Sequence, residues 1–212
     1  MNVVLHNNLT PVFADVEEDT FNLSTSDVWP KITAKTKAIL PVHLCGHPAD
    51  MSPLYPLMIE DAAQAWGAKN VGSFGLAGCF SCYWAKLLGA YGNAGVVTTD
   101  DEEIAKKIKG YRFHYDIGKV PINEDVDYGF TMELDNLQAA ILNVKFKYLK
   151  ENLARRVEIA EIYDEGLKDL PVILPLKQEG RVYQDYCIRV PERKTELVED
   201  FKKNDIEILG YN

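Results

Sequence analysis

Lys86 sits in the stretch "GCFSCYWAKLLGA" (78–90), among Cys79, Phe80, Cys82, Tyr83, Trp84, Leu87 and Leu88. An ammonium group in apolar surroundings loses hydration, and desolvation disfavours its charged form. Asp61 follows directly on the apolar run "LMIE". Gln64 comes three residues later in "EDAAQAWG", and Ser81 closes the run "GCFS". If these two runs are strands of one sheet, a carboxylate, an amide, a hydroxyl and a lysine converge at its edge. That set suits pyridoxal 5'-phosphate. The lysine forms a Schiff base, and the carboxylate keeps the pyridine nitrogen protonated, which makes the ring an electron sink. A lysine whose basicity is brought down by burial also serves as a base. Plainer readings of the same residues stay open: Asp61 as a helix N-cap, and Lys86 as a snorkelling side chain with a buried stem.

The elements that would have to hold these residues alternate along the chain. The sequence predicts strands at 11–16 ("PVFADV"), 37–43 ("KAILPVH"), 57–61 ("LMIED"), 78–83, 94–99 ("AGVVTT"), 182–190 ("VYQDYCIRV") and 206–209. Helices are predicted at 24–32, where Pro30 interrupts, at 100–112 with Asp100 and Glu103 as a capping box, and at 194–204. A single long helix is expected over 134–170, stopped by Pro171, and a long loop over 113–130. Strands alternating with helices indicate an α/β sheet, largely parallel, and ligands in such sheets bind beyond the carboxyl ends of the strands. The strand–helix–strand pattern after the long helix predicts a small α+β second domain. The expected division is 1–150 and 151–212.

Composition narrows the function classes. The 212 residues carry a formal net charge of -9, which argues against broad binding to nucleic acid or anionic membranes. No apolar run approaches the roughly 18 residues of a membrane span, and "MNVVLHNNLTPVF" does not read as a signal peptide. The four cysteines, Cys45, Cys79, Cys82 and Cys187, are too sparse for a secreted disulfide scaffold, so a cytoplasmic location is expected. Cys79 and Cys82 form a C-x-x-C, and "HLCGH" (43–47) is conceivable as a second ligand pair for zinc. The favoured reading is small apolar cysteines in a core.

Several longer stretches resemble one family. "TPVFADVEEDTFNLS", "TKAILPVHLCGHPADM", "IEDAAQAWGA", "VGSFGLAGCFSCYWAKLLGAYGNAGVVTTDDEEIAKKI" and "LDNLQAAILNVKFKYL" look like the DegT/StrS nucleotide-sugar aminotransferases, over nearly the whole chain. The resemblance implies a fold-type-I pyridoxal-phosphate enzyme with a mostly parallel sheet. On it, Lys86 corresponds to the Schiff-base lysine and Asp61 to the partner of the pyridinium. Gln64 matches the amide near the cofactor's 3'-oxygen, and Ser81 a hydroxyl that binds the phosphate. Lysine rather than histidine at position 86 points to transamination rather than dehydration. The implied reaction moves an amino group, from an amino-acid donor expected to be glutamate, to a keto sugar of a nucleotide-diphospho-sugar. The implied assembly is a homodimer with shared active sites.

This sequence also departs from the family pattern. Family members carry an N-terminal segment with a Gly-Ser/Thr turn for the phosphate and an aromatic that stacks on the ring, and this chain is expected to begin after both. The crossover between "KAILPVH" and "LMIED" is short, and the chain stops at "ILGYN" where the family continues. The asparagine that reaches the neighbouring subunit's cofactor phosphate corresponds to Thr131, and a basic residue after it corresponds to Glu133. The run after "LGAY" reads "GNAG", with Asn93 and Ala94 where an acidic residue and glycine are usual. A second reading follows from these departures: a shortened, inactive relative that serves as a binding or oligomerisation module.

Overall fold

The computed structural model describes residues 1–50, 58–113 and 129–210. Among the described residues three strands form one sheet: β1 (Ile59–Asp61), β2 (Ala77–Ser81) and β3 (Gly95–Thr98), in that spatial order. β1 and β2 run parallel, with Asp61 opposite Cys79. β3 returns antiparallel, with Ser81 opposite Gly95. On the other side of β1 lies the segment expected as a strand at 37–43. It runs parallel to β1 through two isolated bridges, Ile39 to Met58 and Val42 to Asp61. Pro41 explains why they stay isolated. Its carbonyl accepts from the Asp61 N–H at 2.9 Å, but it has no N–H to return to the ladder. The sheet is therefore parallel except for β3.

Other expected strands are reduced to single bridges. Among the described residues the 11–16 segment makes one β-bridge, Val16 to Leu23, and 182–190 makes one, Ile173 to Arg189. Residues 206–209 form no strand. The helices fall nearer to expectation. An unexpected short helix, α1 (Asn2–His6), opens the chain, and α2 (Thr25–Val28) gives way at Pro30 to a tight turn over Trp29–Lys31. α3 (Glu102–Arg112) is capped one residue later than expected. Asp101, not Asp100, accepts from the N–H groups of Glu103 and Ile104 at 2.8 and 3.0 Å. The long helix is two, α4 (Asn136–Phe146) and α5 (Leu149–Leu167). Lys147 and Tyr148 keep helical backbone angles between them, so the chain bends rather than unwinds. The bend lets Leu142 and Leu149 enter one cluster with Cys82, Leu88 and Ala90. α6 (Lys194–Lys203) lies where its amphipathic pattern put it. The expected loop at 114–128 and most of the crossover, 51–57, lie outside the described residues.

Successive strand residues face opposite sides of a sheet. In β1 this turns Asp61 outward and buries Glu60 completely. Glu60 collects four hydrogen bonds. Its Oε2 accepts from Gly72 N–H (2.7 Å) and from His43 Nε2 (3.0 Å), and its Oε1 from Phe74 N–H (2.8 Å) and Gly75 N–H (3.1 Å). The Ala49 N–H donates to His43 Nδ1 at 3.0 Å, so the proton of this neutral ring is on Nε2, facing Glu60. Gly72 is needed where it stands. Its φ is +87°, and a Cβ there would meet the Phe80 ring at 2.6 Å. Burial pushes the Glu60 carboxyl up, but the bonds from His43, Gly72, Gly75 and Phe74 outweigh it and hold the group below the ordinary range.

Glu60→Ala should therefore cost about 3–5 kcal/mol in urea unfolding, because it leaves one buried and three part-buried donors unpaired. A loss under about 1 kcal/mol would show that the carboxylate does not organise this region. The pH sign follows from the lowered folded value. The contribution is complete above the ordinary 4.5 and is lost as pH falls below it. Stability measured from neutral pH down through that window should fall more steeply in the native chain than in Glu60→Gln.

Candidate functional site

Because β1 and β2 are parallel, their carboxyl ends open at one edge, and those ends and the turns that follow carry the four residues singled out from the sequence. Asp61 ends β1 with an exposed side chain, and its Oδ1 accepts from Ala63 N–H at 3.1 Å. The next turn is tight. Ala62 N–H extends the ladder to the Cys79 carbonyl at 2.9 Å, and Ala62 and Ala65 are fully buried. Gln64 projects from this turn, and its Oε1 accepts from the Cys45 backbone N–H at 2.7 Å. That bond fixes the amide: its carbonyl end is engaged, and its NH2 end remains to donate.

Ser81 ends β2. Its backbone carbonyl accepts from Trp66 Nε1 at 2.9 Å, and the Trp66 ring packs on Phe80 with centroids 4.6 Å apart. The Ser81 hydroxyl oxygen accepts from Tyr83 N–H at 3.2 Å, which leaves its O–H to donate. Lys86 lies in the following turn, where its N–H donates to the Tyr83 carbonyl at 2.9 Å. Among the described residues no side chain bonds to its ammonium group. The expectation of an enclosing apolar shell needs correction. Lys86 is half-buried, and Tyr83 and Trp84 are 41% and 61% exposed. The stretch after Ser81 is a turn, so its aromatics need not point into the core. Thr131 lies elsewhere, bridged to Phe113 between α3 and α4, and is exposed.

Sequence reading missed the group that holds the lysine turn. Gln184 clamps the backbone on both sides of Lys86: its Oε1 accepts from Leu87 N–H and its Nε2 donates to the Ala85 carbonyl, both at 3.1 Å. Arg156 from α5 donates in turn to the carbonyls of Tyr183 (3.0 Å) and Gln184 (3.2 Å). No local signal marks Gln184, since 97 residues separate it from Leu87.

The cysteine expectation is met only in part. Cys82 is fully buried in the core, whereas Cys79 is exposed on β2. Burial and the carboxylates of Asp61 and Glu60 push the Cys79 thiol up. Among the described residues no group of three ligating side chains could hold a metal.

Comparison with known proteins gives this edge its context. The pattern of the DegT/DnrJ/EryC1/StrS aminotransferase family matches residues 1–211. The chain belongs to that family. Among its members, a pleiotropic regulatory protein of Geobacillus stearothermophilus is 39% identical over 95% of this chain and 57% of its own length. The UDP-N-acetyl-3-dehydro-alpha-D-glucosamine 3-aminotransferase of Acidithiobacillus ferrooxidans is 38% identical over 90% of this chain and 54% of its own. The crystal structure of NtdA from Bacillus subtilis with bound cofactor PMP superposes with a TM-score of 0.85 at 32% identity. It covers 95% of this chain and 48% of NtdA. The architecture is thus the α/β, fold-type-I one of this family's sugar aminotransferases. The chain spans about half the length of the curated relatives it matches.

Gln184→Ala should release the turn that carries this family member's lysine. Leu87 amide exchange should speed up about tenfold, the equivalent of one lost hydrogen bond of about 1.4 kcal/mol. Exchange at Leu87 unchanged from the native chain would show that the clamp is not formed.

Proposed function

We propose that this chain carries the lysine side of a pyridoxal-phosphate aminotransferase site. The substrates are an amino-acid donor, read as glutamate, and a keto sugar of a nucleotide-diphospho-sugar. The observation that supports this best is the orientation of polar groups at the sheet edge. Backbone N–H groups engage the acceptor oxygens of Gln64 and Ser81, so each side chain keeps a donor to offer, on the turns and strand end that also carry Lys86. A donor-rich edge suits an anionic group, and exposed Asp61 supplies the one carboxylate that a ring N–H requires. The residues fit the ring end of the cofactor well and its phosphate end by one hydroxyl.

When bound, the cofactor supplies an electron sink for amino-group transfer. This chain's residues do the rest. Asp61 holds the proton on the ring nitrogen through a charge-assisted hydrogen bond. Gln64 donates its amide NH2 to the 3'-oxygen, steadied by the Cys45 N–H. Ser81 donates its hydroxyl to the phosphate. Lys86 would hold the cofactor through its Nζ and, as a free amine, would carry a proton to and from the substrate carbon. Gln184 positions Lys86 through the backbone. Thr131 belongs to the neighbouring subunit's phosphate in a homodimer, which the exposed Tyr91 and Leu137 also favour. The same proposal divides the chain into a cofactor-binding part, 1–150, and a small C-terminal domain, 151–212. The four free thiols suit the reducing cytoplasm.

An inactive relative acting as a binding module is the rival reading, favoured by the single phosphate hydroxyl and by Glu133. Titration with pyridoxal phosphate separates the two. Within these 212 residues the phosphate finds Ser81 and a partner's Thr131, while each charged hydrogen bond is worth about 1.5–3 kcal/mol. Binding should therefore be at least about a hundredfold weaker than in a chain extended by a family-like Gly-Thr turn. Borohydride should then fix the cofactor at Lys86 and nowhere else, and Lys86→Ala should abolish this. Asp61→Asn should lower transamination by at least about tenfold with little change in folding. Labelling spread over surface lysines and insensitive to Lys86→Ala would overturn the reading.

A further inference from the structure

One pair of cysteines has no part in the chemistry above. Cys45 Sγ and Cys187 Sγ lie 3.2 Å apart although 142 residues separate them in sequence. Both are half-buried free thiols. A disulfide needs about 2.05 Å between its sulfurs, so closure asks for a shift of about 1.2 Å.

Their surroundings favour thiol chemistry. A small cleft lined by Phe21, His47, Pro175 and Arg181 reaches both sulfurs and has room for about one water-sized molecule. Two buried polar atoms of these residues, His47 Nδ1 and Arg181 Nε, have no hydrogen-bond partner among the described residues. They are ready to bind a small polar molecule. The Cys45–Cys187 hydrogen bond sets the roles of the two sulfurs. It holds Cys187 below its ordinary value and raises Cys45. Burial and Asp185 oppose the Cys187 thiolate, and the Arg181 guanidinium favours it.

We propose that Cys45 and Cys187 form a reversible disulfide site, closed by a hydroperoxide that enters this cleft and reopened by a dithiol reductant. The Cys187 thiolate attacks one peroxide oxygen. An S–O bond forms, the O–O bond breaks, and the departing hydroxide takes up the proton that Cys187 gave up on ionising, as water. Cys45 sulfur then attacks the sulfenic sulfur. The S–S bond forms, the S–O bond breaks, and the departing hydroxide takes the Cys45 proton as water. In sum, two thiols lose two electrons and two protons, and hydrogen peroxide becomes two waters.

The position of the bond gives it a consequence. Cys45 sits in a strained turn (φ +54°) whose N–H holds Gln64, and the next carbonyl, of Gly46, accepts from Val182 N–H at 3.0 Å. Cys187 follows Gln184 on the segment that clamps the Lys86 turn. Closure therefore ties the Cys45 turn, whose N–H holds Gln64, covalently to the segment that holds the lysine turn.

The test reads covalent structure and does not depend on transamination. The full 212-residue chain is treated with a few equivalents of hydrogen peroxide, alkylated and analysed by intact mass and peptide mapping. The chain should lose about 2 Da before alkylation, and dithiothreitol should restore it. Alkylatable thiols should fall from four to two, and a peptide pair should join Cys45 to Cys187. Tm should rise by about 5–15 °C on oxidation. Cys187→Ser should abolish the cross-link, and Cys79→Ser should keep it. Should Cys187→Ser not fold, the peptide map of Cys79→Ser decides alone. Four thiols remaining, oxygen adducts without a cross-link, or a link to Cys79 or Cys82 would overturn the proposal.

Discussion

The Glu60 carboxylate is the constraint on which the site depends. A buried charge is tolerable only when its hydrogen bonds are satisfied. Glu60 meets that demand by drawing in the 72–75 turn through three backbone N–H groups and the His43 ring from the neighbouring segment. These contacts set how the 39–43 segment, β1 and the approach to β2 lie together. Strand alternation then does the rest. With Glu60 locked inward, Asp61 has no choice but to face the other side of the sheet, at the edge where ligands bind in α/β folds.

Around that edge, backbone groups rather than side chains prepare the chemistry. An amide or hydroxyl can donate or accept, and left alone it serves either role. Here the Cys45 N–H takes the Gln64 oxygen and the Tyr83 N–H takes the Ser81 oxygen, so each side chain is left as a donor. Orientation of this kind costs little at the moment of binding, because the partner is fixed by the fold. Lys86 is held the same way. Its own side chain is free among the described residues, and its turn is held at both flanking positions by Gln184.

The segment around 181–189 joins the molecule together. Val182 packs with Ala65 and Ala68, Gln184 grips the lysine turn, Cys187 meets Cys45, and Arg189 pairs with Glu18 and Asp19. A stretch that reads in sequence as a strand thus works as an irregular strap. Its backbone groups go to the turns on the sheet edge instead of to a ladder, as Val182 N–H to the Gly46 carbonyl shows.

The sequence by itself determined the α/β class, the strand ending in Asp61, a strand carrying Ser81, though expected to run on to Tyr83, and the placing of Gln64 and Lys86 after them. Each follows from local pattern: an apolar run ended by a polar group and followed by a turn. It also determined α6 and, to within one residue, the cap of α3. Tertiary structure decided what local pattern cannot carry. Pro41 reduces a good strand pattern to two bridges only because its neighbour is β1. The helix expected over 134–170 bends at Lys147–Tyr148, so that Leu142 and Leu149 share one cluster. Tyr83 and Trp84 read as cover for Lys86 but face outward, because hydrophobicity does not say which side of a turn is inside. Glu60, Gln184 and the Cys45–Cys187 contact are invisible in the sequence for one reason. Their partners lie between 12 and 142 residues away, and only the folded chain brings them within hydrogen-bond reach.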